Sequence, residues 1–128
     1  MDKRELVNEI RKVIDVIIAD KEYVNFVMLL PDDNNKSFTV LIGAKWLNEL
    51  SPYEGVKLIY SYFINEMANE QLKCISRINL IHTADKAIGA IYQAFCMRGG
   101  VLEINNCDFF GVYIKSAYIL ESHRGRKC

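Results

Sequence analysis

The residues best suited to chemistry follow an apolar run near the middle of the chain. His82, Thr83 and Asp85 come directly after a predicted strand and directly before a predicted helix. Open α/β sheets bind ligands beyond the carboxyl ends of their strands, and histidine is the side chain that most readily exchanges a proton near neutral pH. These three residues are therefore candidates for a small catalytic or ligand-binding site.

A second polar group follows the next predicted strand and comprises Asn105, Asn106, Cys107 and Asp108. If that strand runs parallel to the strand before His82, both groups lie at the same end of the sheet. They then form one polar pocket. In this pocket the catalytic candidates are His82, Asp85 and Cys107, and the ligand-binding candidates are Thr83, Asn105, Asn106 and Asp108.

The same residues have a simpler interpretation, which the sequence favours. Thr83 or Asp85 caps the following helix, and His82 hydrogen-bonds a loop. Cys96 is a poor thiol partner for His82, because it lies about 14 residues further along a helix, or ~20 Å. Cys107 is geometrically acceptable, but no glycine-rich oxyanion turn accompanies it.

The sequence predicts neither a metal nor a cofactor. Zinc needs about four converging ligands, and two histidines with four scattered cysteines do not supply a recognisable set. Asp32 and Asp33 are adjacent carboxylates in a predicted hairpin tip, where a solvated turn is the favoured interpretation. Gly99 and Gly100 lack the lysine and the spacing of a phosphate-binding loop.

Apolar periodicity predicts the element order α-β-β-α-β-α-β-β. The first helix covers 2–20, strands at 23–30 and 37–43 form a hairpin with a loop of about six residues, and Ser51 with Pro52 opens a second helix that ends near Leu72. A strand at 75–81, a helix that ends at Gly99 and Gly100, a strand at 101–104, a turn at 105–108 and a long strand at 109–120, bulged at Gly111, complete the order.

These elements predict a mixed α/β domain, a single five-stranded mixed sheet flanked by three helices. Crossovers of helical length imply parallel neighbouring strands, and the two hairpins add antiparallel pairs. Residues 1–121 are expected to form one domain, and the basic residues 122–128 are expected to be a disordered tail.

The second helix is unusually aromatic. Tyr53, Tyr60, Tyr62 and Phe63 lie within it. Tyrosine and phenylalanine are enriched at the centres of protein interfaces, so part of this surface is a candidate contact with another protein, such as a second copy of the chain. Packing within the core is the alternative.

Charge and composition narrow the classes of partner and compartment. Lys+Arg and Asp+Glu both number 16, which disfavours a nucleic-acid grip even though Arg77, Lys86, Arg98, Arg124 and Arg126 are available. No segment approaches the ~20 apolar residues of a membrane span. A charged N-terminus and cysteines without a Cys-x-x-Cys pair predict a cytoplasmic protein.

The leading hypothesis from the sequence is a small, non-catalytic protein-interaction module that forms a homodimer. An accessory or antidote protein of a prokaryotic regulatory, toxin-immunity or defence system fits this description, and the richness in Ile, Asn and Lys is typical of an AT-rich genome. The competing hypotheses are an enzyme or ligand-binding protein at His82 and, less favoured, a weak nucleic-acid-binding protein.

Overall fold

A computed structural model describes residues 2–32, 36–109 and 112–125 as one mixed sheet with helices on both faces. The elements are α1 (Lys3–Lys21), β1 (Phe26–Pro31), β2 (Phe38–Gly43), α2 (Lys45–Asn48), α3 (Pro52–Glu66), α4 (Asn69–Leu72), β3 (Ile75–Leu80), α5 (Lys86–Ala94), β4 (Leu102–Phe109) and β5 (Val112–Ser122). The predicted fold class is confirmed, with three longer helices and two single-turn helices.

Local capping signals determine where the longer helices begin. The Asp2 carboxylate accepts a hydrogen bond from the Arg4 N–H at the start of α1. The Ser51 hydroxyl accepts one from the Glu54 N–H at 3.2 Å, and Pro52 occupies the first turn of α3, as predicted. The predicted second helix is divided, because α3 ends at Glu66 and α4 is a separate turn.

The strand order in the sheet is β3-β2-β1-β5-β4. The β1–β2 and β4–β5 hairpins are antiparallel, as predicted, and β1 also pairs antiparallel with β5. The chain from β2 to β3 passes through α3 and gives a parallel pair, which confirms that crossover. The two edge strands are therefore β3 and β4.

The connection through α5 differs from the prediction. It leads from β3 at one edge of the sheet to β4 at the other, so these strands are not neighbours. Following the pairings across the sheet shows that β4 runs opposite to β3. The α5 helix ends at Ala94, and Gly99 and Gly100 lie in the following loop with φ of 72° and 75°.

One face of the sheet packs against α1 and α3. Side chains alternate along β1, so Val27 and Leu29 point to this face while Phe26 and Met28 point to the other. The core on this face contains Ile10, Ile14 and Ile17 of α1, Ile59 and Phe63 of α3, and Val40 and Ile42 of β2. Gly55 lets α3 approach β3, because a Cβ there would lie 2.2 Å from the Leu80 Cδ1.

The opposite face carries α5. Ile88, Ile91 and Tyr92 pack there on Phe26 and Met28, and on Ile104, Ala117 and Ile119 of the β4–β5 hairpin. The Tyr92 ring meets Phe26 edge-on at 6.2 Å between centroids. A nine-residue helix is thus the main cover of this face in the described chain.

The predicted boundary between domain and tail needs correction. Ser122 closes β5, its hydroxyl donates to the Phe95 carbonyl at 2.8 Å, and its backbone pairs with Met97. His123 is 2% exposed, and the Arg124 guanidinium lies 5.3 Å from the centre of the Tyr92 ring. Ser122 and Arg124 therefore pack against α5 and its C-terminal loop, and His123 is bonded to Asn25. Residues 126–128, including Arg126, lie outside the described residues.

Candidate functional site

His82 lies in an exposed turn between β3 and α5. Its Nδ1 accepts a hydrogen bond from the Ala84 N–H at 3.0 Å. The backbone just before it is held to β2, because the Ile81 N–H donates to the Ile42 carbonyl at 2.9 Å. The imidazole therefore closes the local turn, as the simpler interpretation of the sequence predicts.

The two polar neighbours of His82 also have structural partners. The Asp85 Oδ1 accepts from the Ala87 N–H at 2.9 Å and caps α5. The Thr83 hydroxyl accepts from the Asn48 Nδ2 at 2.8 Å, which ties this turn to α2. Both side chains thus have a role in joining elements together.

The second polar group does not join His82. Asn105, Asn106, Cys107 and Asp108 belong to β4 instead of a turn, and β4 is the edge strand farthest from β3. The prediction of one pocket at a shared sheet end is wrong, because it assumed parallel neighbouring strands. The same distance across the sheet removes Cys107 as a thiol partner of His82.

Two residues of β4 have local hydrogen bonds. Asn106 has a φ of 52° and accepts a hydrogen bond from the Tyr113 hydroxyl at 2.6 Å. The Cys107 thiol is free and half-buried, and its Sγ lies 3.4 Å from the Asn105 carbonyl oxygen. The predicted bulge at Gly111 lies outside the described residues.

Within the described ranges, no three side chains of the metal-binding types His, Cys, Asp and Glu come together. The Asp32 carboxylate instead accepts hydrogen bonds from its own loop, from the Lys36 N–H at 3.1 Å and from both the N–H and the hydroxyl of Ser37. Asp33 lies outside the described residues.

A buried charged network, which the sequence did not predict, joins α1 to the end of β5. The Glu121 side chain is 3% exposed, and its Oε2 lies 2.8 Å from the Arg11 Nη2. The same oxygen accepts from the Gly99 N–H at 2.8 Å, and the other oxygen lies 3.0 Å from the His123 Nε2. Arg11 also donates to the Leu120 carbonyl at 2.5 Å and to Asp15.

The network keeps Glu121 ionised. Burial raises the pKa of the Glu121 carboxyl, but hydrogen bonds from His123, Gly99 and Arg11 and the Arg11 charge outweigh this effect. The pKa therefore lies below its ordinary value of 4.5. Since both ends of the Arg11–Glu121 pair are buried, the pair acts as a tie between α1, the loop at Gly99 and the C-terminal segment.

No pattern in the sequence indicates this network. Glu121 follows an apolar strand and His123 falls in a basic segment, so both resemble surface residues. Only the pairing of β5 with β1, which places Glu121 opposite Val27 on the α1 side, brings Arg11 within reach. Asn25 also holds this segment in place, because its Nδ2 donates to the His123 carbonyl at 3.1 Å.

The four predicted interface residues of α3 differ in their exposure. Phe63 is 0% exposed and belongs to the core, so its assignment to an interface is corrected. Tyr62 is half-buried and donates its hydroxyl hydrogen to the Asp20 carboxylate of α1. Tyr53 and Tyr60 are exposed together with Ile64, at 75%, 45% and 50%. We call these three residues, with the exposed Lys57 between them, the α3 stripe.

A groove of about 500 Å³ lies beside α5 on its face of the sheet, and we call it the α5 groove. Its floor is formed by Met28, Leu30, Leu41 and Ile114, and Ile88 and Ile91 of α5 form a wall. Among the described residues, the charged side chains that border it are Lys3, Asp32 and Lys115.

No protein-family model, curated protein or solved structure matches this chain. In the described part of the chain, no helix combines the length and the apolar character needed to span a membrane. The α3 stripe and the α5 groove are the two surfaces of the described chain that are suited to binding.

Proposed function

We propose that this protein is a protein-interaction module that pairs with a second copy of itself through the α3 stripe. The observation that carries the proposal is the exposure of Tyr53, Tyr60 and Ile64 on one face of α3. Large apolar side chains that share one exposed helix face are typical of protein contacts.

The neighbouring helix provides an internal comparison. α1 lies beside α3 on the same face of the sheet. Its exposed positions include Glu5, Asn8, Lys12 and Asp15, as expected for a helix whose outer face meets water. α3 packs its inner face through Gly55, Ile59 and Phe63 and still carries apolar side chains outside. Core packing does not account for that second apolar face.

The spacing of the α3 stripe suits a helix pair. Tyr53, Lys57, Tyr60 and Ile64 are separated by four, three and four residues, which is the spacing of a coiled-coil seam. If two α3 helices cross antiparallel on a two-fold axis, Tyr53 meets Ile64 of the second copy, and Lys57 meets Tyr60 of the second copy. A lysine ammonium over a tyrosine ring is attractive, so the stripe is complementary to itself.

A neutral chain has little charge repulsion between its copies, which favours self-association. An accessory or antidote role in a prokaryotic regulatory, toxin-immunity or defence system stays a prediction from the sequence.

Sedimentation equilibrium tests the proposal. We expect the wild-type chain to show a concentration-dependent dimer, and Ile64→Asp to raise the dimer dissociation constant at least about tenfold. Ala19→Asp, on the exposed outer face of α1, is the matched control and should leave it unchanged. Circular dichroism checks that both variants stay folded. A wild-type chain that remains monomeric at millimolar concentration would contradict the proposal.

A further inference from the structure

The α5 groove is an apolar surface that the fold leaves incompletely covered. Leu30, Leu41, Ile81 and Ile114 line it and are only half-buried. The opposite face of the sheet is covered by the two long helices α1 and α3, whereas α5, which covers this face, has nine residues. Ligand sites in proteins are typically concave, mostly apolar and between about 300 and 1,000 Å³, and the groove has these properties.

The groove is better suited to a hydrocarbon chain than to a peptide. An extended peptide needs hydrogen-bond partners along its whole length, whereas the backbone of the floor already pairs on one side, β1 with β2 and β5 with β4, and only the short margins of β1 and β5 beyond Leu29 and Tyr118 lack a strand partner. A helix satisfies its own backbone but is about 10 Å across, so the volume of the groove holds little more than one turn. A flexible alkyl chain needs neither hydrogen-bond partners nor a channel 10 Å wide.

The border of the groove favours an anionic group. Lys115 is exposed and makes no ion pair within the described residues. Lys3 borders the same groove, and its ammonium lies 5.7 Å from the centre of the Tyr118 ring. The opposing charge belongs to Asp32, whose carboxylate is bound by the Lys36 and Ser37 groups of its own loop. Within the described residues, Lys115 thus gives the border an exposed ammonium that has no carboxylate partner.

We propose that the α5 groove binds a free, single-chain amphiphile with a carboxylate head, of the fatty-acid class. The alkyl chain lies on Met28, Leu41 and Ile114 against Ile91, and the carboxylate pairs with Lys115. This site is separate from the α3 stripe, so the proposal does not depend on self-association.

Isothermal titration with octanoate, decanoate and dodecanoate, each below its micelle concentration, tests the site. Burial of a methylene contributes about 0.8 kcal/mol, so each added CH₂ should lower the dissociation constant about fourfold until the groove is full. Lys115→Gln should weaken decanoate binding several-fold and leave 1-decanol binding unchanged. The matched control is Lys12→Gln, on the exposed face of α1, which should change neither.

Two aspartate variants separate this site from the α3 stripe. Ile114→Asp should abolish decanoate binding and keep the dimer, whereas Ile64→Asp should do the reverse. Thermal unfolding establishes that each variant is folded, and if Ile114→Asp is not, Leu41→Asn replaces it. Several results would overturn the proposal: no decanoate binding at millimolar concentration, affinity independent of chain length, or binding only to anionic lipid vesicles.

Discussion

The two faces of the sheet differ in how completely helices cover them. Against α1 and α3, the core contains fully buried residues such as Ile14, Val40 and Phe63. Against α5, a buried centre at Ile88 and Ile119 adjoins half-buried side chains and the α5 groove. Close-packed interiors contribute most of the stability of a domain, whereas incompletely covered apolar surface is available for binding. The first face thus stabilises the molecule, and the second retains room for a ligand.

Matched phenylalanine truncations test this difference most strongly. Phe63→Ala on the α3 side removes a fully buried ring and should lower the free energy of unfolding by about 3–5 kcal/mol. Phe95→Ala, at the end of α5, removes a half-buried ring and should cost about 1–2 kcal/mol. Urea denaturation measures both. Equal losses would show that the two faces contribute alike.

Disruption of the buried network on the α1 side should give the next largest loss in the free energy of unfolding. Glu121→Gln leaves the buried Arg11 without its buried carboxylate and should cost about 3 kcal/mol near pH 7. Asp15→Asn removes the other carboxylate that pairs with Arg11. Because the Asp15 side chain is 59% exposed, this change should cost less than about 1 kcal/mol.

The cost of Glu121→Gln should depend on pH. Because the folded-state pKa of Glu121 lies below 4.5, its contribution is present above that value and is lost as the pH falls through the folded-state pKa. The difference between wild type and Glu121→Gln should therefore narrow in acid. Denaturation curves at pH 7 and pH 3 measure this, and a constant difference would argue against an ionised Glu121.

Removal of two tyrosine hydroxyls, one on each side of the sheet, should give the smallest changes in the free energy of unfolding. The Tyr92 hydroxyl is buried on the α5 side without a hydrogen-bond partner in the described residues, whereas the Tyr62 hydroxyl donates to Asp20 on the other side. Tyr92→Phe should raise the free energy of unfolding by about 0.5–1 kcal/mol, and Tyr62→Phe should lower it by about 0.5 kcal/mol. Thermal unfolding near pH 7 measures the two shifts, which should have opposite signs.

The pKa values of the same two tyrosines predict how the stability of the fold changes at high pH. Burial raises the pKa of Tyr92 to about 12, with a partly opposing effect of Arg124. Burial and the contact with Asp20 raise the pKa of Tyr62 to about 12. A raised pKa stabilises the fold below pH 10, and this contribution is lost as the pH rises through 12. Absorbance at 295 nm should show both phenols titrating late, each signal absent from its Phe variant.

Much of the element order was predictable, because the signals are local. Ser51 and Pro52 start α3 through hydrogen bonds and a fixed φ that depend on the next few residues alone. The β1–β2 hairpin follows from two apolar runs around turn residues, and Pro31 pairs with Phe38 across it. The predicted turn at 105–108 failed because polar residues of an exposed edge strand resemble a turn in composition.

The site was less predictable, because it depends on which strands become neighbours. The pocket around His82 required β3 and β4 side by side, yet they are the two edges of the sheet. Glu121 and Arg11 are far apart in sequence and meet only because β5 inserts next to β1. The exposure of Tyr53 and the burial of Phe63 likewise depend on how α3 is rotated against the sheet.

Local sequence signals account for the three longer helices, most of the strands, the β1–β2 hairpin and the mixed α/β class, since periodicity and capping act over a few residues. The strand order β3-β2-β1-β5-β4, the contacts of Ser122 and Arg124 with α5 and the α5 groove are properties of the tertiary structure alone. The physical reason is that these features depend on the burial of surfaces from distant segments. One residue pattern is compatible with several strand orders, and packing selects among them.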